Sequence, residues 1–296
     1  MDLIKAITLS LGDVEEPVVT PYRLGLIVHR LYVQKEYQGE KINRLQKDFA
    51  TAGEFSRRLA DLLEAGVLRP LKGCSASVYS LLGRRDEDAE EVACSIDPFC
   101  YLSHLSAMAH HGLTERIPST LFVSSPDAKA WKQFAAERME KDLKQDYEVY
   151  QRNGLPMLLR LKMDKIGRRD VHRFASSHLG AYTIVKGKTL RVSSLGRTFL
   201  DMLRNPELCG GMRHVMEVFE EHGAQYLPLI VKEIDLHGAK IDKVRAGYIL
   251  EERMKLKDVI IESWAAFAQR GGSRKLDASA EYRPTWSERW CLSINL

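Results

Sequence analysis

Three histidines are the first side chains to test for chemistry, because imidazole is a common metal ligand. His104 and His111 lie two helical turns apart on one face of a predicted helix over residues 99–111, and His110 is adjacent. Metal ligands on a helix usually stand three or four residues apart, as in HExxH, and no carboxylate or cysteine completes that spacing here. We therefore expect packing or hydrogen bonding at the helix end, with no metal and no cofactor.

Motifs of common catalytic sites are missing from the sequence. It has no GxxxxGK[ST] phosphate loop, no GxSxG turn and no GxGxxG after a strand. A carboxylate-lysine nuclease stays open as an alternative, with Asp164–Lys165 or Glu251, Glu252 and Lys255 as its nearest candidates. Because these residues lack the usual strand context, solvated surface charge is the preferred interpretation, and the chain is predicted not to be an enzyme.

Basic side chains are concentrated between residues 20 and 85. That segment holds twelve lysines and arginines against six acids, whereas the whole chain has a net charge of only +4. A helix over residues 54–65 would bury one apolar face and leave Ser56, Arg57 and Arg58 on its outward face and flanks. In a DNA major groove such a helix meets bases and phosphates, so the pattern predicts a recognition helix.

The surrounding elements fit that interpretation. Helical periodicity covers residues 21–37, with Pro21 in the first turn, and a shorter stretch over residues 40–50. After the helix over residues 54–65, two short strands surround a tip of small residues at 72–77. Three helices followed by a two-stranded wing is the order of a winged helix-turn-helix. An alternative is a winged module that contacts proteins, in which the arginines are merely solvated.

The predicted DNA contacts come from the second helix, the third helix and the wing. They are Arg44, Lys47, Ser56, Arg57, Arg58, Lys72 and Ser75.

Composition bounds the class of protein. The 296 residues are 45% hydrophobic and 28% charged, as in soluble globular proteins, and the five cysteines show no CxxC spacing. No apolar run approaches a membrane span, and the apolar start is too short and too acid-flanked for a secretory signal. We therefore predict a cytoplasmic protein that has no membrane partner.

An acidic run, DEDAEE at residues 86–91, is the sharpest change in composition. Because like charges resist compaction, we predict a linker there, between a DNA-binding domain at residues 1–85 and a larger domain at residues 92–296. Strand and helix patterns alternate in the larger domain and become mostly helical after Met212. The predicted fold class is α+β, with an N-terminal winged helix-turn-helix, a mixed α/β domain and a helical tail.

The stretch SSLGRTFLDMLRNPELCGG, residues 193–211, has the clearest helix pattern of the larger domain. Its apolar residues Leu195, Phe199, Met202 and Leu203 share one face. Arg197 and Asp201 lie one turn apart on the polar face. Two hypotheses follow: the two residues pair with each other, or they are presented together to a partner.

Several segments in a fixed order resemble one known family. They are YLSHLSAMAHHGLTERIPSTLFVSS, SLGRTFLDMLRNPELCGG, RAGYILE, GGSRKLD and RWCLSINL, after the winged N-terminus. Together they are similar to the AbiEi-type antitoxins of type IV toxin-antitoxin systems, and the resemblance runs from about Pro21 to the C-terminus.

That resemblance implies a DNA-binding autorepressor. Its winged module would bind inverted repeats of double-stranded DNA in its own promoter, and its larger domain would oppose a nucleotidyltransferase-like toxin, without necessarily forming a stable complex. The family signature falls on Ser106, His111, Gly112, Arg197, Thr198 and Asp201. Alternatives are a winged-helix regulator whose C-terminal domain senses a ligand or another partner, and a defence-associated nuclease.

Overall fold

The computed structural model describes residues 1–74, 77–83, 88–177, 181–269 and 274–296. It is a mixed α/β protein, which confirms the predicted fold class at that level. The chain divides into two compact units. One contains residues 1–100, 124–177 and 184–191, and the other contains residues 101–123, 178–183 and 192–296. The domain boundaries at residues 85 and 92 stay a prediction. In the structure, residues 124–177 belong to the same compact unit as residues 1–100.

The N-terminal elements alternate between helices and very short strands. They are α1 (Leu3–Gly12), β1 (Val18–Val19), α2 (Pro21–Gln34), β2 (Glu36–Tyr37), β3 (Glu40–Lys41), α3 (Ala52–Glu64), β4 (Leu68–Pro70) and β5 (Tyr79–Leu81). Strands β1, β5 and β4 form an antiparallel sheet in that order. The predicted helices that begin near Pro21 and Glu54 are thus confirmed, and so are the two strands after them.

The predicted helix over residues 40–50 is wrong. Residues 36–41 form a β-hairpin, in which Gln38 and Gly39 adopt φ values of 49° and 83°. Two consecutive positive φ values are typical of a two-residue hairpin turn. Beyond the hairpin, the Asn43 N–H donates to the carbonyl of Met1, and Arg44 has φ 59°. These non-local bonds satisfy the backbone in a non-helical path, so Arg44 and Lys47 lie on a connection rather than on a helix.

The middle of the chain contributes helices and a six-stranded sheet. The elements are α4 (Ala89–Ile96), β6 (Tyr101–Leu102), α5 (His104–His110), β7 (Thr120–Pro126), α6 (Ala128–Leu143), α7 (Tyr147–Arg152), β8 (Lys165–Ile166), β9 (Arg169–Ser176), β10 (Tyr182–Ile184) and β11 (Arg191–Ser193). The strand order is β10-β11-β6-β7-β9-β8. The predicted hairpin around residues 182–193 is present as β10 and β11, joined by a bond from the Val185 N–H to the Leu190 carbonyl.

Part of the predicted acidic linker is helical. Asp88 caps α4 by accepting from the Glu90 N–H, and Glu90 and Glu91 lie in its first turn. Carboxylates are stabilising there because the unpaired N–H groups give a helix N-terminus partial positive charge. The acids of this segment therefore start a helix, while residues 86 and 87 lie outside the described part of the chain.

The C-terminal part is mainly helical. It contains α8 (Leu195–Arg204), α9 (Met212–His222), α10 (Leu227–His237), α11 (Lys240–Gly247), a π-helical segment (Tyr248–Arg253), α12 (Val259–Trp264), β12 (Trp286–Ser287) and β13 (Leu292–Ser293). Ser194 caps α8 by accepting from the Arg197 N–H. In the described residues, no helix is long and apolar enough to cross a bilayer.

A shared core joins α2 to α6 and α7 inside the first unit. The Tyr22 hydroxyl donates to Asp142, and the Tyr150 hydroxyl donates to the Pro156 carbonyl 2.8 Å away. A methyl group on Gly25 would lie 2.3 Å from the Tyr150 hydroxyl oxygen, so only glycine permits this approach. Burial also raises the pKa of Tyr150. Helix α2 is therefore fixed by residues more than a hundred positions away.

Candidate nucleic-acid interface

Helix α3 presents the predicted recognition face. Its first turn is closed by a capping box, in which Thr51 Oγ1 accepts from the Glu54 N–H and Glu54 accepts from the Thr51 N–H. Phe55 and Leu62 are buried, which turns Ser56 and Arg57 outward, where both are exposed. The local sequence thus sets the start of the helix and the direction of its polar face.

Two of the predicted DNA contacts already have acidic partners. Arg58 donates to Asp61 at 2.8 Å, and Lys47 lies 2.9 Å from the Glu54 carboxylate of the capping box. Arg58 is also half-buried, so it is less available to a phosphate than Arg57 is. The acidic partners are Asp61, on the same helix as Arg58, and Glu54, in the capping box. Both pairs reduce the positive charge that Arg58 and Lys47 can present to a phosphate.

Other basic residues of the segment remain available. Arg44, Arg57 and Lys72 are exposed, and no ion pair to any of them occurs within the described ranges. Arg69 on β4 shares both properties, although the sequence analysis missed it. The alternation of Leu68 with Arg69 along a strand could have identified Arg69 as an exposed cation, because successive strand residues point to opposite faces. Ser75, the last predicted contact, lies outside the described residues.

Four of the six family-signature residues, Ser106, Arg197, Thr198 and Asp201, are buried in the second unit, whereas His111 is half-buried and Gly112 is exposed. Ser106 is buried, and its Oγ accepts from the Phe122 N–H at 2.9 Å. His111 Nε2 lies 2.7 Å from the Ser193 carbonyl, to which it donates. Burial lowers the pKa of His111, and that hydrogen bond opposes the shift only in part. The neutral imidazole therefore connects the C-terminal end of α5 to β11 through one hydrogen bond.

Gly112 and Thr198 lie next to the two ends of this hydrogen bond. Gly112 has φ 67° immediately after α5, which is the left-handed conformation that glycine supplies at a helix end. Thr198 Oγ1 lies 2.8 Å from Ser193 Oγ and 3.0 Å from the Ser194 carbonyl. The signature thus brings His111 and Thr198 to the same strand end, where both form hydrogen bonds to Ser193.

Arg197 and Asp201 pair with each other. Arg197 Nε donates to Asp201 Oδ1 at 2.7 Å, and each side chain is only 3% exposed. Burial disfavours the charged guanidinium, but the Asp201 carboxylate outweighs it with help from Tyr101, so the pKa of Arg197 is raised. Helix α8 is buried on its polar face as well as on its apolar face. Of the two hypotheses for this pair, the structure supports the internal one.

The residues considered for other chemistry are separated. His104 is fully buried, with its Nδ1 2.8 Å from Ser103 Oγ. Across the described residues, no group of three or more histidines, cysteines or acids is arranged to hold a metal ion. Asp164 pairs with Lys162 at 2.7 Å, and Glu251 binds Arg289. Of the nuclease candidates, Asp164, Lys165 and Glu251 are therefore half-buried or exposed partners in ion pairs.

Comparison with solved structures shows a likeness of fold. No family model matches the chain, and no curated protein matches it. The crystal structure of the RV2827C protein from Mycobacterium tuberculosis is similar, with a TM-score of 0.52 and 13% sequence identity, over 97% of this chain and 89% of that one. At that identity the likeness concerns the fold alone.

Proposed function

We propose that the chain binds duplex DNA through a winged helix-turn-helix formed by α1 to β5. One observation carries this proposal: α3 presents Ser56 and Arg57 to solvent, and it is followed by a two-stranded hairpin that carries Arg69 and Lys72. The order of the elements and the antiparallel sheet β1-β5-β4 support this proposal, because a winged helix-turn-helix places its two-stranded hairpin directly after the recognition helix. Exposed cations without acidic partners are suited to phosphates, because a duplex carries about one charge per 1.7 Å of its axis.

The biological role that we propose is that of an autorepressing antitoxin. It rests on the resemblance to AbiEi-type antitoxins: the chain would bind inverted repeats in its own promoter and oppose a nucleotidyltransferase-like toxin. Burial of Arg197, Thr198 and Asp201 argues that this part of the signature maintains the fold. A toxin-directed surface would then involve other, exposed residues of the larger region.

Binding can be tested with a double variant and a matched control. Arg57→Ala with Lys72→Ala removes two exposed cations of the proposed interface. Lys132→Ala with Arg152→Ala removes two exposed cations from α6 and α7 and makes the same change in net charge. Fluorescence anisotropy on a duplex from upstream of the gene, at several salt concentrations, gives the affinity and its salt dependence.

The two outcomes differ clearly. Each lost phosphate contact lowers the magnitude of the slope of log K against log salt concentration by about 0.9. We therefore expect this slope to fall by roughly 1.8 for the interface variant and to change very little for the control. Equal losses in both variants would contradict the proposed interface. Binding of the wild-type protein with no salt dependence would contradict phosphate contact altogether.

Antitoxicity needs a separate experiment. Co-expression of the chain with a toxic neighbouring gene is expected to restore growth, and the Arg57→Ala, Lys72→Ala variant is expected to protect equally well, since its larger region is intact. Failure of the wild-type chain to protect would refute the antitoxin role and leave DNA binding standing.

A ligand-sensing regulator is the weaker candidate. An apolar cavity of about 130 Å³ lies beside the start of α2, where Ile96 and Met157 are among the residues that line it. Sites for small molecules usually enclose about 300–1,000 Å³, so this cavity is small for a regulatory ligand.

A further inference from the structure

The β8–β9 hairpin ends in a tight turn that presents one arginine. Ile166 pairs with Arg169, which leaves Gly167 and Arg168 as a two-residue loop. Gly167 has φ 59°, as the first position of such a loop often requires of glycine. Arg168 is exposed at the tip. The hairpin therefore holds this guanidinium outward on a short, rigid support.

Neighbouring charges of the hairpin cancel one another. Lys165 lies 3.2 Å from Asp170 across the two strands, and Arg169 lies 3.7 Å from Glu90. Just before the hairpin, Lys162 pairs with Asp164. No ion pair to Arg168 occurs in the part of the chain that the structure describes. The positive charge that is not cancelled within the hairpin is therefore that of Arg168 at the tip.

That tip touches the turn of the proposed wing. A methyl group on Gly73 would lie 2.4 Å from the Gly167 carbonyl oxygen and 3.1 Å from the Gly167 nitrogen, so the two backbones are in direct contact. Both glycines belong to the first compact unit. Lys72 precedes Gly73, and Arg168 follows Gly167, so the contact is flanked by two exposed cations.

Each of these two cations follows or precedes a glycine of the contact, and like charges that lie near each other favour the binding of a polyanion across them. Successive phosphates of a DNA strand offer such a partner, and the surface is continuous with the turn after β4. We propose that the β8–β9 tip extends the wing into one composite phosphate-binding surface, with Arg168 as an additional contact to the duplex backbone. This inference rests on the proposed DNA binding and assigns a DNA contact to a residue far outside the predicted DNA-binding domain.

The direct test replaces one arginine. Arg168→Ala is expected to weaken binding to the upstream duplex roughly five- to tenfold at about 0.1 M salt and to lower the salt slope by about 0.9. Lys132→Ala, an equal change of charge at an exposed position on α6, is expected to change neither quantity. Equal behaviour of the two variants would overturn the inference.

The same series separates this inference from the proposed function. If the wild-type chain binds and Arg57→Ala weakens binding while Arg168→Ala does not, only the composite surface is refuted. If the wild-type chain does not bind the duplex, both are refuted.

A second pair of variants tests the contact between the tips. Gly73→Ala cannot be accommodated without moving the wing turn away from Gly167, and its φ of 73° also strains alanine. Gly83→Ala introduces comparable strain at φ 83°, where a methyl group meets nothing within 4 Å. We expect Arg168→Ala to lose most of its effect in the Gly73→Ala background and to keep it in the Gly83→Ala background. An undiminished effect in both, with unchanged circular dichroism spectra, would contradict a composite surface.

Discussion

Arg197→Ala is the substitution that best tests the account of α8. It removes the partner of a carboxylate that is buried within the second unit. Asp201 Oδ1 accepts from Arg197 Nε at 2.7 Å, and Asp201 Oδ2 has no hydrogen-bond partner among the described residues. The variant therefore leaves a buried charge without compensation in a helix whose other faces are packed.

The magnitude follows from burial and distance. Two unit charges about 4 Å apart interact by roughly 4 kcal/mol at an effective dielectric constant near 20. Breaking a buried pair by removing one partner usually costs about 3–5 kcal/mol, so we expect Arg197→Ala to lower the free energy of unfolding by that amount. Both side chains are 3% exposed, so screening by solvent reduces this value little.

Urea denaturation followed by circular dichroism measures the effect. The matched control is the double variant Arg197→Met, Asp201→Leu, which removes both charges and fills the space with apolar atoms. Replacing a buried pair in this way is often nearly neutral, so the double variant is expected to be at least about 2 kcal/mol more stable than Arg197→Ala. A loss below about 1 kcal/mol for Arg197→Ala would refute the argument that Asp201 depends on this partner.

Three further predictions concern other parts of the fold. Thr51→Ala removes the side-chain cap of α3 and is expected to cost about 1 kcal/mol in urea denaturation, whereas Thr51→Ser is expected to cost little. Gly247→Ala would place a methyl group 2.1 Å from the Trp290 ring, so a loss of about 1–3 kcal/mol from overpacking is expected, and an unchanged melting temperature would contradict the close approach. The folded-state pKa of His111 is lowered by burial, so the unfolded chain binds more protons and stability falls as pH drops below the ordinary histidine value of about 6.5. His111→Gln can still donate to Ser193 but cannot titrate. We therefore expect its free energy of unfolding to vary less between pH 5 and 7 than that of the wild-type chain, and an identical variation would contradict a lowered pKa of His111.

Local signals in the sequence were enough to place α2, α3 and α8 and to predict the exposed face of α3. The first turn of α3 is fixed by Thr51 and Glu54, and the start of α8 by Ser194, because these side chains bond to backbone groups three residues away. Such contacts depend only on neighbouring residues, so a sequence pattern can reveal them. The same holds for the exposed Arg57, whose direction follows from the apolar residues of its own helix.

Tertiary structure decided which charges face solvent. Arg197 and Asp201 occupy a polar helix face that periodicity alone would leave exposed, yet packing of the second unit covers that face completely. The segment after α2 was misjudged for the same reason, since its backbone bonds to distant Met1 rather than within a helix. Contact between Gly73 and Gly167 brings the tip that carries Arg168 next to the turn after β4, and no pattern in the sequence indicates this contact. Periodicity records the preferences of a single element, whereas burial and pairing of charges depend on what packs against it from elsewhere in the chain.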